Sequence, residues 1–369
     1  MKIGITGSNG FIGFHLRNTI NQYKDYQLIS FERQFFENEI HLDKFISSCD
    51  VVVHLAGLNR HNDEELLLKT NIDLATKLSD SISRVNFKKK LIFLSSTHET
   101  SDSAYGISKL KSRSVLTESS KKIGFSLTSL IVPNVFGPFC EPNYNSFIAN
   151  FCHSLINNNK TNIIVDDDVK LIYIQNLVSK IMDEFNSSSN YKKVLPFDFK
   201  LKVSEVLKVL NSFKELYIEK DEIPDVSENY KLNLFNTFRS YLDYDNFYPR
   251  SYKNNVDDRG NFVEILRSNS LGQYSFSSTK PKVVRGNHYH TRKVERFAVI
   301  SGEALIKMRK IGTNDIIEYK LSGNSPEFVD IPIWYTHSIQ NIGEEDLYTL
   351  FWVNEPYDND NSDTFFENV

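Results

Sequence analysis

Along residues 1 to about 185, short runs of continuous apolar residues alternate with longer stretches in which apolar positions recur every three or four residues. The runs "KIGIT" (2–6), "YQLIS" (26–30), "DVVVHLAG" (50–57), "KLIFLSS" (90–96) and "SLTSLIV" (126–132) predict strands, and 11–22 and 64–84 predict amphipathic helices between them. Such alternation predicts an α/β doubly wound parallel sheet of the Rossmann type. Unbroken apolar strands fit a sheet covered on both faces. Residues 204–219 and 228–242 have helical patterns, and "NFYPRSYKNN" (246–255) reads as a linker. Beyond 256 the period shortens to two. Nine alternating segments, from "NFVEILR" to "LYTLFWVN", are punctuated by turn signals. They predict an all-β sandwich or jelly roll. The chain thus divides into domains over 1–245 and 256–369. "DNDNSD" (358–363) reads as a polar tail segment.

Composition narrows the partners. With 43 basic and 47 acidic side chains the net charge is −4, which gives no attraction for nucleic acid or a membrane surface. No apolar run approaches the roughly 18 residues of a membrane span. Three cysteines are too few for a disulfide framework, and they read as buried thiols in a reducing compartment. With no signal peptide in view, a cytoplasmic protein is expected.

The first chemical signal is "TGSNGFIG". Gly7, Gly10 and Gly13 follow a strand and open a helix, where glycines let the backbone approach a pyrophosphate. The second is "YGISK". Tyr105 and Lys109 share a helix face, and a nearby ammonium is expected to lower the phenol pKa for proton transfer. "LSST" (94–97) lies just upstream, with hydroxyls able to hold a substrate carbonyl.

With "DVVVHLAG" and "PNVFGP", these motifs stand in the order and spacing of the extended short-chain dehydrogenase/reductase family, which residues 1 to about 240 resemble, its nucleotide-sugar members in particular. The resemblance implies Tyr105 as general acid, Lys109 as its partner and ribose contact, and Thr97 before Ser96 as the hydroxyl beside the phenol. It implies a cofactor bed of Gly7, Gly10, Phe11, Ile12, Gly13, Leu55 and Ala56, with Asp50 at the adenine and Asn134 at the substrate. After the second strand, "SFERQ" offers both Glu32 and Arg33; we favour NADPH, with Arg33 turned to the ribose phosphate. Two departures stand out: Ile131 where many relatives have arginine, and "YIQN" (173–176) where many have Tyr-Val-Asp-Asp.

The third signal is "GNHYHTRKVE". His288 and His290 are two apart on a strand, so they share a face, and Glu295 follows. "IPIWYTHSIQN" adds His337; these are the three histidines beyond residue 153. The set suits Zn, Fe, Mn or Ni. Residues 256–369 resemble the cupin superfamily, with Trp334 where a glycine is common and its ring expected to narrow the pocket mouth. "DDRGNFVEI" and "VVRGNHYH" resemble the deoxysugar-nucleotide 3,5-epimerase branch, which uses a histidine at the position of His288 as base. His288 is therefore ligand or base, and the full donor set favours the metal.

A cupin epimerase removes a proton beside a carbonyl, and the reductase then removes that carbonyl. Both therefore need a keto sugar, with epimerisation first. The whole chain resembles the bifunctional capsular polysaccharide enzymes of the UDP-N-acetyl-L-fucosamine pathway. That resemblance implies a UDP-4-keto-6-deoxy-2-acetamido sugar, C3 epimerisation in the cupin, NADPH reduction at C4, UDP-2-acetamido-2,6-dideoxy-L-talose as product, and Zn2+. The rival readings are a reductase with a structural metal-binding cupin and a non-enzymatic sugar-nucleotide sensor. A homodimer is expected, without nucleic-acid or membrane partners.

Overall fold

Continuous apolar runs become parallel strands because a sheet covered on both faces leaves no polar side. In the computed structural model these are β1 (Lys2–Thr6), β2 (Gln27–Ile29), β3 (Val51–His54), β4 (Lys90–Ser96) and β5 (Ser126–Val132), followed by the shorter β6 (Asn134–Phe136), β7 (Asp168–Tyr173), β8 (Tyr191–Val194) and β9 (Phe199–Lys202). The structure describes all residues except 189, 253–254, 258–259, 263–271, 356–357 and 359, with backbone alone at 255–257, 260–262 and 273. "NFVEILR" and "DDRGNFVEI" extend outside the described residues.

The main sheet runs β2-β1-β3-β4-β5-β8, with every pairing parallel, and β6-β7-β9 form a smaller sheet. All residues of β3 and β4 are buried. Helices α1 (Phe11–Ile20), α2 (Glu39–Ser48), α3 (Glu64–Arg84) and α4 (Ala104–Ile123) pack around it. Leu42, Phe45 and Ile46 of α2, Leu78 and Ile82 of α3 and Leu116 of α4 join Val52 and Leu91 of the sheet in one apolar core. Each such side chain contributes about 1.5–3 kcal/mol by burial. The chain crosses from β2 to β3 on opposite sides of β1, so the carboxyl ends of β1 and β3 flank a switch-point crevice. Cys49, Cys140 and Cys152 are all buried, and burial pushes the thiols of Cys49 and Cys140 up to about 12 and about 11.

Two compact units form, one of Met1–Asn150 with Val165–Val203 and one of Phe151–Ile164 with Ser204–Val369. Further helices are α5 (Phe147–Ile156), α6 (Ile174–Met182), α7 (Val203–Phe213) and α8 (Asn229–Arg239). Residues 204–245, expected to belong with the first domain, pack in the second unit, and the expected linker 246–255 supplies Arg250 and Ser251 as a strand of its sheet.

There the two-residue period gives antiparallel strands with one face inside. They are β10 (Arg250–Ser251), β11 (Asn255–Asp257), β12 (Gly260–Phe262), β13 (Gln273–Thr279), β14 (Val284–Tyr289), β15 (Glu295–Ser301), β16 (Glu303–Lys310), β17 (Ile316–Ser322), β18 (Glu327–Ile331), β19 (Tyr335–Asn341), β20 (Leu347–Val353) and β21 (Phe365–Phe366). Two five-stranded sheets result, β10-β18-β15-β20-β13 and β17-β16-β19-β14-β21. Ala304, Ile306 and Met308 alternate with half-exposed neighbours along β16 and are fully buried. The expected cupin-like β-domain after a Rossmann-type sheet is what forms. Among the described residues no helix is long and apolar enough to cross a membrane.

Candidate functional site

The crevice in the first unit is built by its glycines. Gly7 has φ +77°, and a Cβ there would lie 2.8 Å from the Ala56 amide nitrogen. The Gly10 amide donates to the Gly7 carbonyl at 3.1 Å, and α1 then begins at Phe11 with no side-chain cap and no acid in its first turn. Its N-terminal amides remain open to an anion. Half-buried Leu55 and Ala56 follow β3, and the Ala56 amide donates to Thr6 Oγ1 at 3.3 Å. These positions stand at the carboxyl ends of β1 and β3. Arg33 is exposed after β2, while the Glu32 carboxylate accepts from the Gln34 amide.

Tyr105 enters from the first turn of α4, where Ser103 caps the Gly106 amide. One turn on, Lys109 Nζ lies 5.7 Å from the Tyr105 ring centroid and donates to the Leu94 carbonyl at 3.1 Å. Burial pushes Tyr105 up to about 12, opposed by a hydrogen bond with Ser96, and it pushes Lys109 down to about 8. This corrects the expectation that the lysine lowers the phenol: desolvation dominates both groups. It also reverses the order of the two hydroxyls. Ser96 is buried at the end of β4 and bonds Tyr105, whereas Thr97 opens a 3-10 turn and is exposed.

Asp50 needs a larger correction. It precedes β3 and accepts from the Lys2 amide at 2.7 Å and from Lys89 Nζ at 2.7 Å. Those partners stand where β1 and β4 begin, so Asp50 lies at the amino ends of the strands, away from the crevice and from any adenine. Asn134 is exposed at the start of β6. Ile131 is 3% exposed within β5, paired with Ser95 and Val194. Tyr144 was missed by pattern: its phenol adds to the upward shift of Tyr105, and its hydroxyl accepts from the Asn59 amide at 3.2 Å. Only its place in the "EPNYNSF" loop could have pointed to it.

In the second unit, His288 on β14 stands opposite His337 on β19. A bulge precedes it, with Gly286 at φ +98° and Asn287 at φ +57°. A Cβ on Gly286 would lie 2.7 Å from the His337 carbonyl oxygen, so the close approach requires glycine. Past the bulge His288 and His290 point to the interior, where Glu295 arrives from the opposite sheet. One ligand atom from each of the four residues lies within 4.8 Å of the others. His290 Nε2 and His337 Nε2 are 3.1 and 3.3 Å from Glu295 Oε2. None of those three atoms has an aligned hydrogen bond, although all are buried. Orphaned buried donors and acceptors are unfavourable by about 1–3 kcal/mol each. Three imidazoles and a carboxylate converging in this way fit a divalent cation.

Electrostatics agree with that fit. Burial, with His337 and His290 beside it, pushes His288 down to about 4, so its ring is neutral at pH 7. For Glu295, burial alone would raise the carboxyl, but His290 and His337 hold it well below the usual range. His290 Nδ1 meets the Asp363 carbonyl at 2.6 Å. A carbonyl only accepts, so Nδ1 carries a proton, and Nε2 would offer its lone pair to a cation once it gives up the proton it shares with Glu295.

Asp363 falls in the stretch read as a polar tail. It is buried, and its carboxylate accepts from the amides of Thr291, Arg292 and Lys293 at 3.2, 2.9 and 3.2 Å and from Thr291 Oγ1 at 2.6 Å. It thereby clamps the turn between His290 and Glu295. Trp334 is also corrected. It has φ +62°, which explains why glycine suits the position, but its ring is fully buried and stacked on Tyr289 at 5.6 Å. It therefore narrows no mouth. Its amide donates to the His290 carbonyl at 2.8 Å.

Comparison with known proteins follows the same division. Residues 3–178 match the NAD dependent epimerase/dehydratase family, and residues 255–365 match the polysaccharide biosynthesis C-terminal domain. The chain is 33% identical to the UDP-2-acetamido-2,6-beta-L-arabino-hexul-4-ose reductase of Pseudomonas aeruginosa over 99% of its own length and 98% of that protein. It is 33% identical to the capsular polysaccharide assembling protein CapF from Staphylococcus aureus, whose crystal structure it covers in full with a TM-score of 0.63. The fold of its first part also resembles RMD from Pseudomonas aeruginosa complexed with NADPH, at 17% identity and TM-score 0.53 over 58% of this chain and 82% of that one.

Proposed function

From a chain that belongs to the family of capsular polysaccharide enzymes joining a short-chain reductase to a C-terminal cupin, we propose a two-step activity on a UDP-4-keto-6-deoxy-2-acetamido sugar. The cupin inverts C3, and the reductase then reduces C4, giving UDP-2-acetamido-2,6-dideoxy-L-talose, the precursor of UDP-N-acetyl-L-fucosamine. The residues proposed to carry the reductase chemistry fall within 1–245 and those proposed to carry the cupin chemistry within 256–369, and the assembly is a homodimer. The observation that carries this reading is the presence in one chain of two separate sets of residues, each suited to a carbonyl.

When bound, NADPH supplies the hydride and a divalent metal, zinc in this reading, supplies positive charge beside a carbonyl oxygen. Arg33 favours the phosphorylated cofactor, because Glu32 is occupied by Gln34. Tyr105, held protonated by burial, is in the acid form at neutral pH and donates to the C4 oxygen. Ser96 orients the phenol, and Lys109 is fixed beneath it by Leu94. His290, Glu295 and His337 would hold the metal. His288, the least buried of the four, completes the set. The same exposure favours the alternative, in which His288 stays off the metal and is the base that takes the C3 proton. The ketone must survive until that proton has moved, so inversion precedes reduction.

The test uses the full-length protein, the UDP-4-keto sugar and deuterium oxide. Wild type should incorporate deuterium at C3 and oxidise NADPH. Tyr105→Phe should retain exchange and lose NADPH oxidation; loss of both refutes separate sites. No exchange in wild type would leave a reductase with a structural cupin. His288→Gln with metal retained and exchange lost makes His288 the base, whereas loss of metal makes it a ligand.

A further inference from the structure

The second unit carries a buried polar site that neither reaction uses. α8 ends at Arg239, 1% exposed, whose Nε and both Nη atoms have no hydrogen-bond partner among the described residues. Asn236, three residues earlier and 2% exposed, has neither Oδ1 nor Nδ2 satisfied. Residues spaced by three lie on one helix face. Two adjacent side chains therefore leave five polar atoms without partners in the protein interior.

The surroundings do not complete them. The Arg239 guanidinium lies 5.4 and 5.5 Å from the ring centroids of Tyr217 and Phe235. Aromatic faces attract a cation but do not replace in-plane acceptors. Asp330 acts on Arg239 through space, yet its oxygens are committed elsewhere. Arg296 Nε donates to Oδ1 at 2.7 Å and Nη2 to Oδ2 at 3.0 Å, and the Tyr217 and Tyr248 hydroxyls donate to Oδ2. Among the described residues two buried guanidiniums thus face one buried carboxylate, a net charge of 1 + 1 − 1 = +1. Burial raises the phenols of Tyr217, Tyr244 and Tyr248 above their ordinary value, so none supplies the missing negative charge. Water could satisfy the hydrogen bonds but not the charge.

We propose that Arg239 and Asn236 bind a small monovalent inorganic anion of the chloride class, together with one water. The anion accepts from the guanidinium and from Asn236 Nδ2, and the water donates to Asn236 Oδ1. The ligand must be small, because Arg239 has almost no exposed surface.

Bromide and gluconate are the probes. Crystals of the full chain moved into bromide should show an anomalous peak in contact with Arg239 and Asn236. At constant ionic strength, replacing gluconate by chloride should raise the Tm saturably by roughly 2–4 °C. Arg239→Met should abolish both the peak and the rise. A site filled by water without a bromide peak, or a halide response that survives in Arg239→Met, overturns the proposal. Should that variant fail to fold, Asn236→Leu keeps the charge and removes one donor. It should raise the chloride midpoint several-fold, and an unchanged midpoint overturns the site as drawn.

Discussion

Asp363→Ala removes the clamp on the turn between His290 and Glu295 while leaving all four donor residues in place. The carboxylate accepts four hydrogen bonds, from three consecutive amides and the Thr291 hydroxyl. A hydrogen bond to a charged group contributes about 1.5–3 kcal/mol, but four on one carboxylate act as a unit and do not add. A total loss of about 3–5 kcal/mol follows, within the range for breaking a buried network. Part of it is lost stability of the metal-free protein. The rest is lost preorganisation: the carbonyl of residue 363 stays in the variant, but the carboxylate bonds that hold it against His290 Nδ1 are gone. Removing such supporting groups weakens metal binding by about 10–100-fold, or about 1.4–2.7 kcal/mol. Zinc affinity would be measured by competition with a chromogenic chelator, and metal-free stability by urea unfolding. Thr291→Val removes the hydroxyl bond alone and should stay within threefold of wild type. Affinity within twofold of wild type in Asp363→Ala would refute the reasoning.

Lys109 sits at about 8 in the folded protein, below its ordinary 10.5, so between those values the unfolded chain binds more protons and stability rises with pH. Relative to Lys109→Met, wild type should gain up to about 3 kcal/mol between pH 8 and 10.5, the equivalent of about 2.5 pKa units; parallel urea profiles for the two proteins would contradict this. Gly286→Ala places a Cβ against the His337 carbonyl at positive φ, and should lower stability by about 2–4 kcal/mol and metal content with it, as read by unfolding and elemental analysis. Ser96→Ala should slow C4 reduction by about 10–100-fold while Thr97→Ala stays near wild type, because Ser96 alone of the two bonds Tyr105; equal losses would restore Thr97.

The convergence of the four donor side chains was legible because a strand's two-residue period fixes which side chains share a face, and because histidines are scarce after residue 153. Gly286 and Asn287 were visible as letters, but their bulge depends on the pairing of β14 with β19. Asp363 was illegible, since β21 must pair with β14 before a polar stretch can reach His290. Asp50 shows the limit of motif matching: a string locates a strand, but which end a residue occupies decides whether it meets the crevice. Ser96 and Thr97 differ only by where β4 stops and a 3-10 turn starts, a boundary that pattern cannot resolve to one residue. Arg239 lay in a segment correctly read as helical, yet its burial depends on the β-domain packed against α8.

The pairing of β14 with residues 365–366 has a consequence for synthesis. A chain emerges from the ribosome in order, and His290 waits 73 positions for the carbonyl that sets its ring. The parallel sheet can assemble as its own strands appear. All four donors precede residue 340, but the support of His290 is missing until translation has passed Asp363. Nascent chains halted between residues 340 and 360 should therefore carry the whole donor set while binding a divalent metal about 10–100-fold more weakly than the full chain does.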